Sequence, residues 1–339
     1  MRTYDNYNLL KYNTFGLEAS CHRFIEVSSV ASLQRHIKQH ADDAHDDPTL
    51  VIGKGSNILF TKDFPGTIIH SAIRGHEVNQ IGDYVMLHCG SGEVWDEVVQ
   101  ICIDNGWHGA ENLSLIPGEI GAAAVQNIGA YGAEIKDIIF DVEAVDLQTG
   151  ELVRIPATEC DYGYRYSKFK TEWKGRYFIT HVTLRLSTMF KPNTSYQAIA
   201  DRLQQHNIIK ATPQQIRDIV IELRNSKLPD YKVVGNAGSF FKNPVIDKAL
   251  YDRLHNRYPD MPAHLVDETS YKIPAAWLIE QCGWRGVSMG DAAVWQQQPL
   301  VLVNLGATQA DDIIQLAQAI TEDVRKKFDI QLIPEVNYI

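Results

Sequence analysis

The chain has 339 residues, of which 45% are hydrophobic and 22% charged, as is typical of a soluble globular protein long enough for two or three domains. Its 32 basic and 42 acidic side chains give a net charge of −10, without any basic tract, so nucleic-acid binding is disfavoured. An anionic ligand would therefore need a local cluster of arginine and lysine.

The cysteines and the first residues indicate a cellular compartment. Five cysteines are scattered without a C-x-x-C pair, which is typical of reduced thiols in a cytoplasmic protein. Residues 1–10 lack a signal-peptide core, and no apolar run is long enough to cross a bilayer. The sequence predicts a soluble, cytoplasmic protein with no membrane partner.

The first predicted elements are strands at 23–27 and 49–53. Between them, periodicity predicts a helix with Val30, Leu33 and Ile37 on one face, followed by an acidic loop from His40 to Pro48. The second strand runs into Gly53-Lys54-Gly55-Ser56-Asn57, where backbone N–H groups could converge on a pyrophosphate. The stretch is not the G-x-G-x-x-G fingerprint, because Ile58 follows it, and a plain turn is equally compatible.

A second unit of strand, glycine turn and helix follows at 84–105. The next stretch, Gly106 to Ala133, is rich in glycine and alanine, which predicts either backbone packed closely against a large flat group or a tightly packed helix between glycine turns. A flexible linker is the alternative. The interleaved Ile116, Ile120 and Ile128 argue against it, because linkers are polar.

The middle of the chain carries an arginine among tyrosines. A hairpin is predicted at 138–147 and 152–155, and an alternating strand at 178–186. Between them, Arg165 lies within Tyr162-Gly163-Tyr164-Arg165-Tyr166, where its planar guanidinium could bind a carboxylate or phosphate. A surface arginine stacked on a tyrosine is equally compatible.

In the last third, Thr212 to Gln215 is a predicted capping box that opens a helix. A short helix at 275–282, a buried strand at 300–305 and a long helix from Thr308 to Phe328 follow, the last with Thr308 and Asp311 as its capping box. A final strand contains Pro334-Glu335-Val336. By residue type alone, Glu335 is expected to be solvated.

The stretch from Gly235 to Pro244 places Ser239 between glycine-rich backbone and two phenylalanines, with Lys242 and Asn243 close behind. Serine can donate or accept a proton, while the lysine and asparagine can donate hydrogen bonds. The alternative is a loop at which a strand begins and from which Phe240 and Phe241 enter the core. No metalloprotease, P-loop, nucleophile-elbow or Cys/His ligand spacing occurs, so no metal site is predicted.

Seven stretches together resemble one family, the UDP-N-acetylenolpyruvoylglucosamine reductases (MurB), flavoenzymes of peptidoglycan synthesis. They occur in the family's order over nearly the whole chain. The matching stretches are Asn13-Thr14-Phe15-Gly16, Gly53-Lys54-Gly55-Ser56-Asn57, Ile116-Pro117-Gly118, Gln126-Asn127-Ile128-Gly129-Ala130-Tyr131-Gly132, Tyr164-Arg165, Gly238-Ser239-Phe240-Phe241-Lys242-Asn243-Pro244 and Pro334-Glu335-Val336.

This resemblance implies an α+β fold with a two-part FAD-binding domain of the vanillyl-alcohol-oxidase/PCMH type and a C-terminal α+β substrate-binding domain. The implied boundaries are 1–73 with 329–339 for the first FAD-binding part, 74–222 for the second, and 223–328 for the substrate domain. It also implies that noncovalent FAD, reduced by NADPH, is used to convert UDP-N-acetylglucosamine enolpyruvate to UDP-N-acetylmuramate, in a protein we expect to be a monomer.

The resemblance also assigns roles to single residues. Ser239 would protonate C2 of the substrate, while Arg165 and a protonated Glu335 would stabilise its developing negative charge. The implied FAD-binding residues are Gly53, Lys54, Gly55, Ser56, Asn57, Ile58, Pro117, Gly118, Gln126, Asn127, Gly129 and Ala130. The implied substrate-binding residues are Tyr131, Tyr196, Lys227, Lys242 and Asn243. Tyr196, followed by a long connection over 191–212, is similar to the subclass that covers its substrate with a tyrosine-bearing loop.

Two alternative functions remain open on sequence grounds. Another flavin oxidoreductase on the same scaffold, such as an oxidase, would be reoxidised by air without any UDP-sugar. A non-catalytic nucleotide-sugar-binding or flavin-binding protein would bind its ligand without consuming NADPH. The presence of Ser239 and Glu335 in matched stretches weighs against the latter, because a binding protein needs no proton donor there.

Overall fold

A computed structural model describes residues 1–40 and 47–339, so that most of the predicted acidic loop at 40–48 lies outside the described residues. The described residues contain eight α-helices. They are α1 (Val30–Gln39), α2 (Trp95–Asp104), α3 (Ile120–Gln126), α4 (Gln197–Gln205), α5 (Pro213–Asn225), α6 (Lys248–Arg257), α7 (Ala275–Gln281) and α8 (Asp311–Phe328).

Twenty strands, several of only two or three residues, accompany these helices in the described parts of the chain. They are β1 (Arg2–Asn8), β2 (Ser20–Val27), β3 (Thr49–Ile52), β4 (Ile58–Leu59), β5 (Phe64–Ser71), β6 (His76–Ile81), β7 (Tyr84–Gly90), β8 (Gly129–Ala130), β9 (Ala133–Glu134), β10 (Ile139–Asp146), β11 (Leu152–Pro156), β12 (Tyr177–Ser187), β13 (Gly235–Ser239), β14 (Val245–Asp247), β15 (His264–Asp267), β16 (Ser270–Lys272), β17 (Ser288–Met289), β18 (Ala292–Val294), β19 (Val301–Asn304) and β20 (Asn337–Tyr338).

One compact unit comprises Met1–Tyr7, Cys21–Lys54 and Pro65–Arg224. It contains a four-stranded sheet in the order β1-β2-β5-β3, in which β3 and β5 run parallel. The Ser29 side chain caps the first helix, and Leu33 is fully buried in a cluster with Ile25 and Ile69. Val30 and Ile37 pack against the same cluster, which confirms the predicted apolar face.

The same unit contains an antiparallel sheet in the order β11-β10-β12-β7-β6. Its alternating side chains, predicted for residues 178–186, send Val182 and Leu184 into a core shared with Trp95 and Val98 of α2. The opposite face of β12 carries His181, Thr183 and Arg185, as the two-residue period of a strand requires.

The second compact unit comprises Asn8–Ser20, Gly55–Phe64 and Asn225–Ile339. Its four-stranded sheet has the order β13-β19-β18-β17, and a three-stranded sheet has the order β14-β16-β15. Phe240 and Phe241 are 0% and 1% exposed, in one core with Leu278 of α7 and Ile320 of α8. The finer division into three domains remains a prediction.

Three local predictions differ from the structure. The predicted connection over 191–212 contains helix α4, for which Tyr196 is the N-cap residue. The last long helix begins at Asp311 rather than at Thr308, because the Thr308 carbonyl accepts a hydrogen bond from the Glu18 N–H. The final strand begins at Asn337, beyond Glu335, where it pairs in parallel with β4.

The cysteines of the described residues agree with the sequence analysis. All five cysteines carry free thiols, and four of them are buried. Burial raises the pKa of Cys21 to about 11 and that of Cys89 to about 12, which keeps these thiols protonated and unreactive. Among the helices of the described ranges, none has the length and apolar character needed to cross a bilayer.

Candidate active site

Ser239 ends β13 at a point fixed by its neighbours on both sides. Gly238, before it, has a φ of +69°, a left-handed conformation that glycine adopts without strain. After it, the Phe240 N–H donates to the Leu300 carbonyl at 2.7 Å, and the phenylalanine rings enter the core. The half-buried serine therefore ends a strand rather than preceding one, while the second prediction for this stretch, buried phenylalanines, is confirmed.

Glu335 lies beside this serine segment through backbone pairing. The Glu335 N–H donates to the Phe240 carbonyl at 2.8 Å, and the Lys242 N–H donates to the Ile333 carbonyl at 2.9 Å. The Asn57 side-chain amide donates to the Glu335 carbonyl at 3.2 Å. Glu335 is half-buried, so the expectation of a solvated glutamate is wrong, because this pairing holds its backbone in the fold.

Lys242, Asn243 and Lys227 belong to the same unit as Ser239. The Asn243 Oδ1 accepts a hydrogen bond from the Ala275 N–H at 2.9 Å, at the first residue of α7. The Oδ1 of Asn243 thus holds the start of α7, which leaves the Nδ2 of the same side chain for a ligand. Lys242 and Lys227 are both half-buried.

Arg165 is anchored within the other unit. It has a φ of +54°, uncommon for a residue with a side chain, and its Nη2 donates to the Gly129 carbonyl at 2.7 Å. The Lys170 ammonium donates to the Gln126 Oε1 at 2.7 Å and to the Arg165 carbonyl at 3.2 Å. The structure therefore brings Arg165 together with Gln126 and Gly129, through a lysine that the sequence analysis did not single out.

The Asn127 side chain forms hydrogen bonds with neighbouring segments of the protein. It is fully buried with a φ of +44°, and its amide donates to the Gly163 carbonyl at 2.7 Å and to Glu134 at 3.0 Å. Its Oδ1 accepts from the Lys136 N–H at 3.2 Å. This side chain shapes the turn that presents Gly129 and Ala130.

The rings of Tyr131 and Tyr196 contact each other. Their ring centroids are 5.2 Å apart at an interplanar angle of 84°. The Asn112 amide donates to the Tyr131 carbonyl at 2.8 Å and to the Asn193 carbonyl at 2.9 Å, which joins the two segments. Burial raises the pKa of the Tyr131 hydroxyl, so this group is a hydrogen-bond donor at neutral pH.

Arg224 is a further residue of this region that sequence reasoning missed. Burial lowers its pKa, while Tyr131 and Asp96 favour its charge and Arg165 opposes it. Its Nε is buried and has no hydrogen-bond partner among the described residues. The only signal in the sequence was its place at the end of α5, three residues before Lys227. Arg224 and Arg165 are close enough to interact, and they form a local cluster of positive charge in the first unit.

The Gly53 end of the glycine turn packs against the small-residue stretch. A Cβ placed on Gly53 would lie 3.0 Å from the Cβ of Ala122 and 3.2 Å from the Glu119 carboxylate. Lys54 pairs with the same buried carboxylate at 3.6 Å, and His70 Nε2 lies 3.1 Å from it. The sequence-predicted segments 53–54 and 117–130 therefore meet within one unit. Pro117 is exposed, and Gly118 has a φ of +126°.

The other end of the turn, Gly55 to Ile58, belongs to the second unit. Gly55 has a φ of +69°, and a Cβ there would lie 1.8 Å from the Tyr12 carbonyl oxygen. The Gly55 carbonyl accepts from the Thr14 N–H, and the Asn57 carbonyl accepts from Asn337. Only glycine fits at position 55, because both its conformation and its contacts exclude a side chain.

Two family models match this chain. Residues 22–156 match the FAD binding domain, and residues 229–339 match the C-terminal domain of UDP-N-acetylenolpyruvoylglucosamine reductase. The crystal structure of UDP-N-acetylenolpyruvylglucosamine reductase (MurB) from Thermus caldophilus has a TM-score of 0.69 at 22% identity, and the match covers 100% of this chain and 99% of that one. These matches confirm the predicted α+β fold with an FAD-binding domain.

Sequence relatives agree over nearly the same length. The UDP-N-acetylenolpyruvoylglucosamine reductase of Bacteroides fragilis is 46% identical over 334 residues, which cover 98% of this chain and 99% of that protein. The protein of the same name from Flavobacterium johnsoniae is 41% identical over 341 residues, covering 100% of both chains. This chain therefore belongs to the UDP-N-acetylenolpyruvoylglucosamine reductase family.

Proposed function

We propose that this protein reduces UDP-N-acetylglucosamine enolpyruvate to UDP-N-acetylmuramate, with NADPH as the hydride donor, in peptidoglycan synthesis. The observation that carries the proposal is the identity of 41–46% to reductases of this name across nearly the whole chain. FAD, when bound, supplies the hydride chemistry between NADPH and the enolpyruvyl double bond. The protein is an FAD-dependent oxidoreductase.

The residues present fit FAD. The turn at 53–58 offers backbone N–H groups, a lysine ammonium, a serine hydroxyl and an asparagine amide, which is a donor set suited to a pyrophosphate. Gly53 itself carries no side chain, and its backbone packs closely on Ala122 of the small-residue stretch. The residues that would hold the cofactor are those predicted from the sequence, Gly53 to Ile58, Pro117, Gly118, Gln126, Asn127, Gly129 and Ala130.

On the first unit, Arg165 binds the substrate carboxylate and stabilises negative charge that develops beside it. Anchorage of its Nη2 on the Gly129 carbonyl fixes the guanidinium before substrate arrives, so little reorganisation is needed during reaction. Tyr131 and Tyr196 bind the nucleotide sugar, and Arg224 adds positive charge for its diphosphate.

On the second unit, Ser239 donates its hydroxyl proton to C2 of the reduced substrate. Serine is a weak acid in water, so this step requires a basic carbanion in a site that excludes water. The backbone N–H of Glu335 pairs with Phe240, the residue after Ser239. The protonated carboxyl group of Glu335 donates a hydrogen bond to the developing oxyanion. Lys227, Lys242 and Asn243 bind the diphosphate and uridine.

The protein acts as a monomer in the cytoplasm, where NADPH and nucleotide sugars are available. Its partners are these small molecules, and it binds neither nucleic acid nor membrane. Light scattering after size exclusion should give the 38.2 kDa mass of one chain. A dimer mass would contradict only the proposed monomeric state, and the proposed reaction would still stand.

A visible absorption spectrum tests the function directly. The purified protein should show a flavin spectrum that bleaches with anaerobic NADPH and returns when UDP-N-acetylglucosamine enolpyruvate is added. Return with air alone would favour an oxidase on the same scaffold. A protein that takes up no FAD would remove the basis for the roles given to residues 53–130.

A further inference from the structure

Two histidines and a glutamate meet on the outer face of the five-stranded sheet. Glu143 on β10 pairs directly with His181 on β12. His88 on β7 pairs with Thr183, two residues further along β12 than His181. Side chains at such opposite and diagonal positions of neighbouring strands point to the same face and reach one another. The register of three strands thus gathers residues that lie 38 to 93 positions apart in the chain.

The donor atoms of the three side chains are close. One from each of His88, Glu143 and His181 lies within 4.8 Å of the other two. The His181 Nδ1 is 2.9 Å from the Glu143 Oε1, and the two imidazole rings stack with centroids 4.6 Å apart at 15°. The His181 and Glu143 side chains are each 22% exposed, so the group is partly desolvated yet open to an ion from solution.

We infer that His88, Glu143 and His181 bind one divalent transition-metal ion, with Zn²⁺ as the ion of best fit. Two imidazoles and a carboxylate are a donor set that zinc uses with water in the fourth position. Ligand bonds of about 2.0–2.2 Å place tetrahedral donor atoms about 3.4 Å apart. Binding therefore requires the donor atoms to draw together from separations of up to 4.8 Å and the two stacked imidazole rings to turn toward the ion.

Neighbouring side chains orient His88 and offset the positive charge near the three residues. The His88 Nδ1 lies 3.0 Å from the Thr183 hydroxyl, which leaves Nε2 as the ring nitrogen for an ion; metal-binding histidines commonly hydrogen-bond an outer partner through their second nitrogen in this way. The nearby Arg154 pairs with Asp141 at 2.7 Å, which reduces its repulsion of a cation.

His88 and Glu143 line an open cavity of about 640 Å³ on the sheet, together with Met86, Arg185 and Glu77. An ion there would join β7, β12 and β10 through side chains. It is separate from the residues proposed for FAD and substrate and does not depend on the proposed reaction. The alternative is a plain Glu143–His181 ion pair, for which His88 would be dispensable.

Calorimetric titration of ZnCl₂ into chelator-treated, reduced, FAD-loaded protein tests the proposal. Wild type should bind one equivalent, and His88→Gln should lower the affinity at least tenfold, since loss of an outer partner alone costs about 10–100-fold. Thr183→Val, which removes the outer hydroxyl and keeps the shape, should lower it by about that amount. His206→Gln is the matched control, because His206 also lies 3.1 Å from a carboxylate, Glu222, in an exposed pair.

Equal zinc affinity in wild type and His88→Gln would overturn the proposal, as would the absence of a one-equivalent site in wild type. A His88→Gln protein that fails to fold would be replaced by Glu143→Gln, which keeps the size of the side chain and an acceptor for His181 while removing the charge. A fall of at least tenfold in its zinc affinity would support the site. Unchanged affinity would contradict it.

Discussion

Ser239 is held by the fold on both sides, by the glycine before it and the buried phenylalanines after it. Removal of its hydroxyl should therefore leave the backbone in place and isolate its chemistry. In Ser239→Ala, we expect reduction of the flavin by NADPH at nearly the wild-type rate and loss of most of the subsequent substrate reduction, because no group donates the proton. Stopped-flow single-turnover measurements of the two half-reactions check this separately.

Ser239→Cys is the control for size and for proton donation. It should retain partial activity in the second half-reaction, because a thiol also donates a proton. Fast substrate reduction by pre-reduced Ser239→Ala would show that another group protonates C2.

Arg165 is the second residue whose role can be isolated. Arg165→Lys should lower turnover substantially, because lysine lacks the planar fork that can bind a carboxylate while one nitrogen stays on Gly129. Steady-state rates with saturating NADPH measure the effect. Arg154→Lys, at an ion pair on the outer sheet face, should turn over normally. Wild-type turnover in Arg165→Lys would refute the proposed role.

At the scale of elements, the turn at 53–58 depends on Gly55. Gly55 and Gly16 both have a φ of +69°, but a Cβ would lie 1.8 Å from the Tyr12 carbonyl oxygen at Gly55 and meet no atom within 4 Å at Gly16. Gly16→Ala should lower the free energy of unfolding by about 1–2 kcal/mol, the cost of the left-handed conformation. Gly55→Ala should lower it by at least about 3 kcal/mol, because main chain must also move.

Urea denaturation of both variants measures this difference. FAD is removed first, so that ligand binding does not contribute to the measured free energy of unfolding. Equal losses would mean that the turn relaxes around the new methyl group, and that close packing there does not require glycine.

Helix α5 is attached through a buried ion pair. The buried Arg217 donates two hydrogen bonds to Asp96, at 2.7 and 2.9 Å. Burial alone would raise the pKa of Asp96, but the bonds from Arg217 and from the Leu115 N–H outweigh it and hold that pKa below its ordinary value. A carboxyl whose pKa is lower in the folded protein stabilises the fold above its unfolded pKa, about 3.9, and this contribution is lost as the pH falls further.

Asp96→Asn should therefore lower the free energy of unfolding by about 2 kcal/mol at pH 7, and the difference from wild type should shrink below about pH 4. Denaturation measured from pH 7 to pH 3 follows it. Asp218→Asn, at an exposed residue of α5 that accepts from Gln214, is the control and should change little at any pH. A difference that stays constant with pH would mean that the charge of Asp96 does not contribute.

Local signals in the sequence predicted elements well where their partners are also local. Thr212 and Gln215 exchange the two hydrogen bonds of the predicted capping box, at 2.9 and 3.2 Å. The same pattern at Thr308 failed, because a hydrogen bond from distant Glu18 uses the Thr308 carbonyl. Helix α4 escaped prediction within 191–212, where only Ile199 of its nine residues is buried and the periodic signal is weak.

For the whole molecule, motif order along the chain was enough for the family and fold, since each motif is a short contiguous stretch. Clusters of residues that strand register brings together could not be predicted from the sequence. His88, Glu143 and His181 have no ligand spacing in the sequence, so the prediction of no metal site considered only local patterns, whereas our metal proposal rests on cross-strand pairing. Arg224 and Lys170 were missed for the same reason, because their partners come from other segments.

The stability of the whole protein should depend on FAD through the pyrophosphate. A ligand that binds only the folded state stabilises it by about 2.7 kcal/mol at 100 times its dissociation constant, which for a chain of this size raises Tm by roughly 5 °C. Riboflavin has the same ring system without the pyrophosphate and adenosine. If the turn at 53–58 holds the pyrophosphate, riboflavin at equal concentration should raise Tm far less, as thermal scans of FAD-free protein would measure. Equal shifts would mean that the ring alone provides the binding energy, and that the glycine turn serves the fold rather than the cofactor.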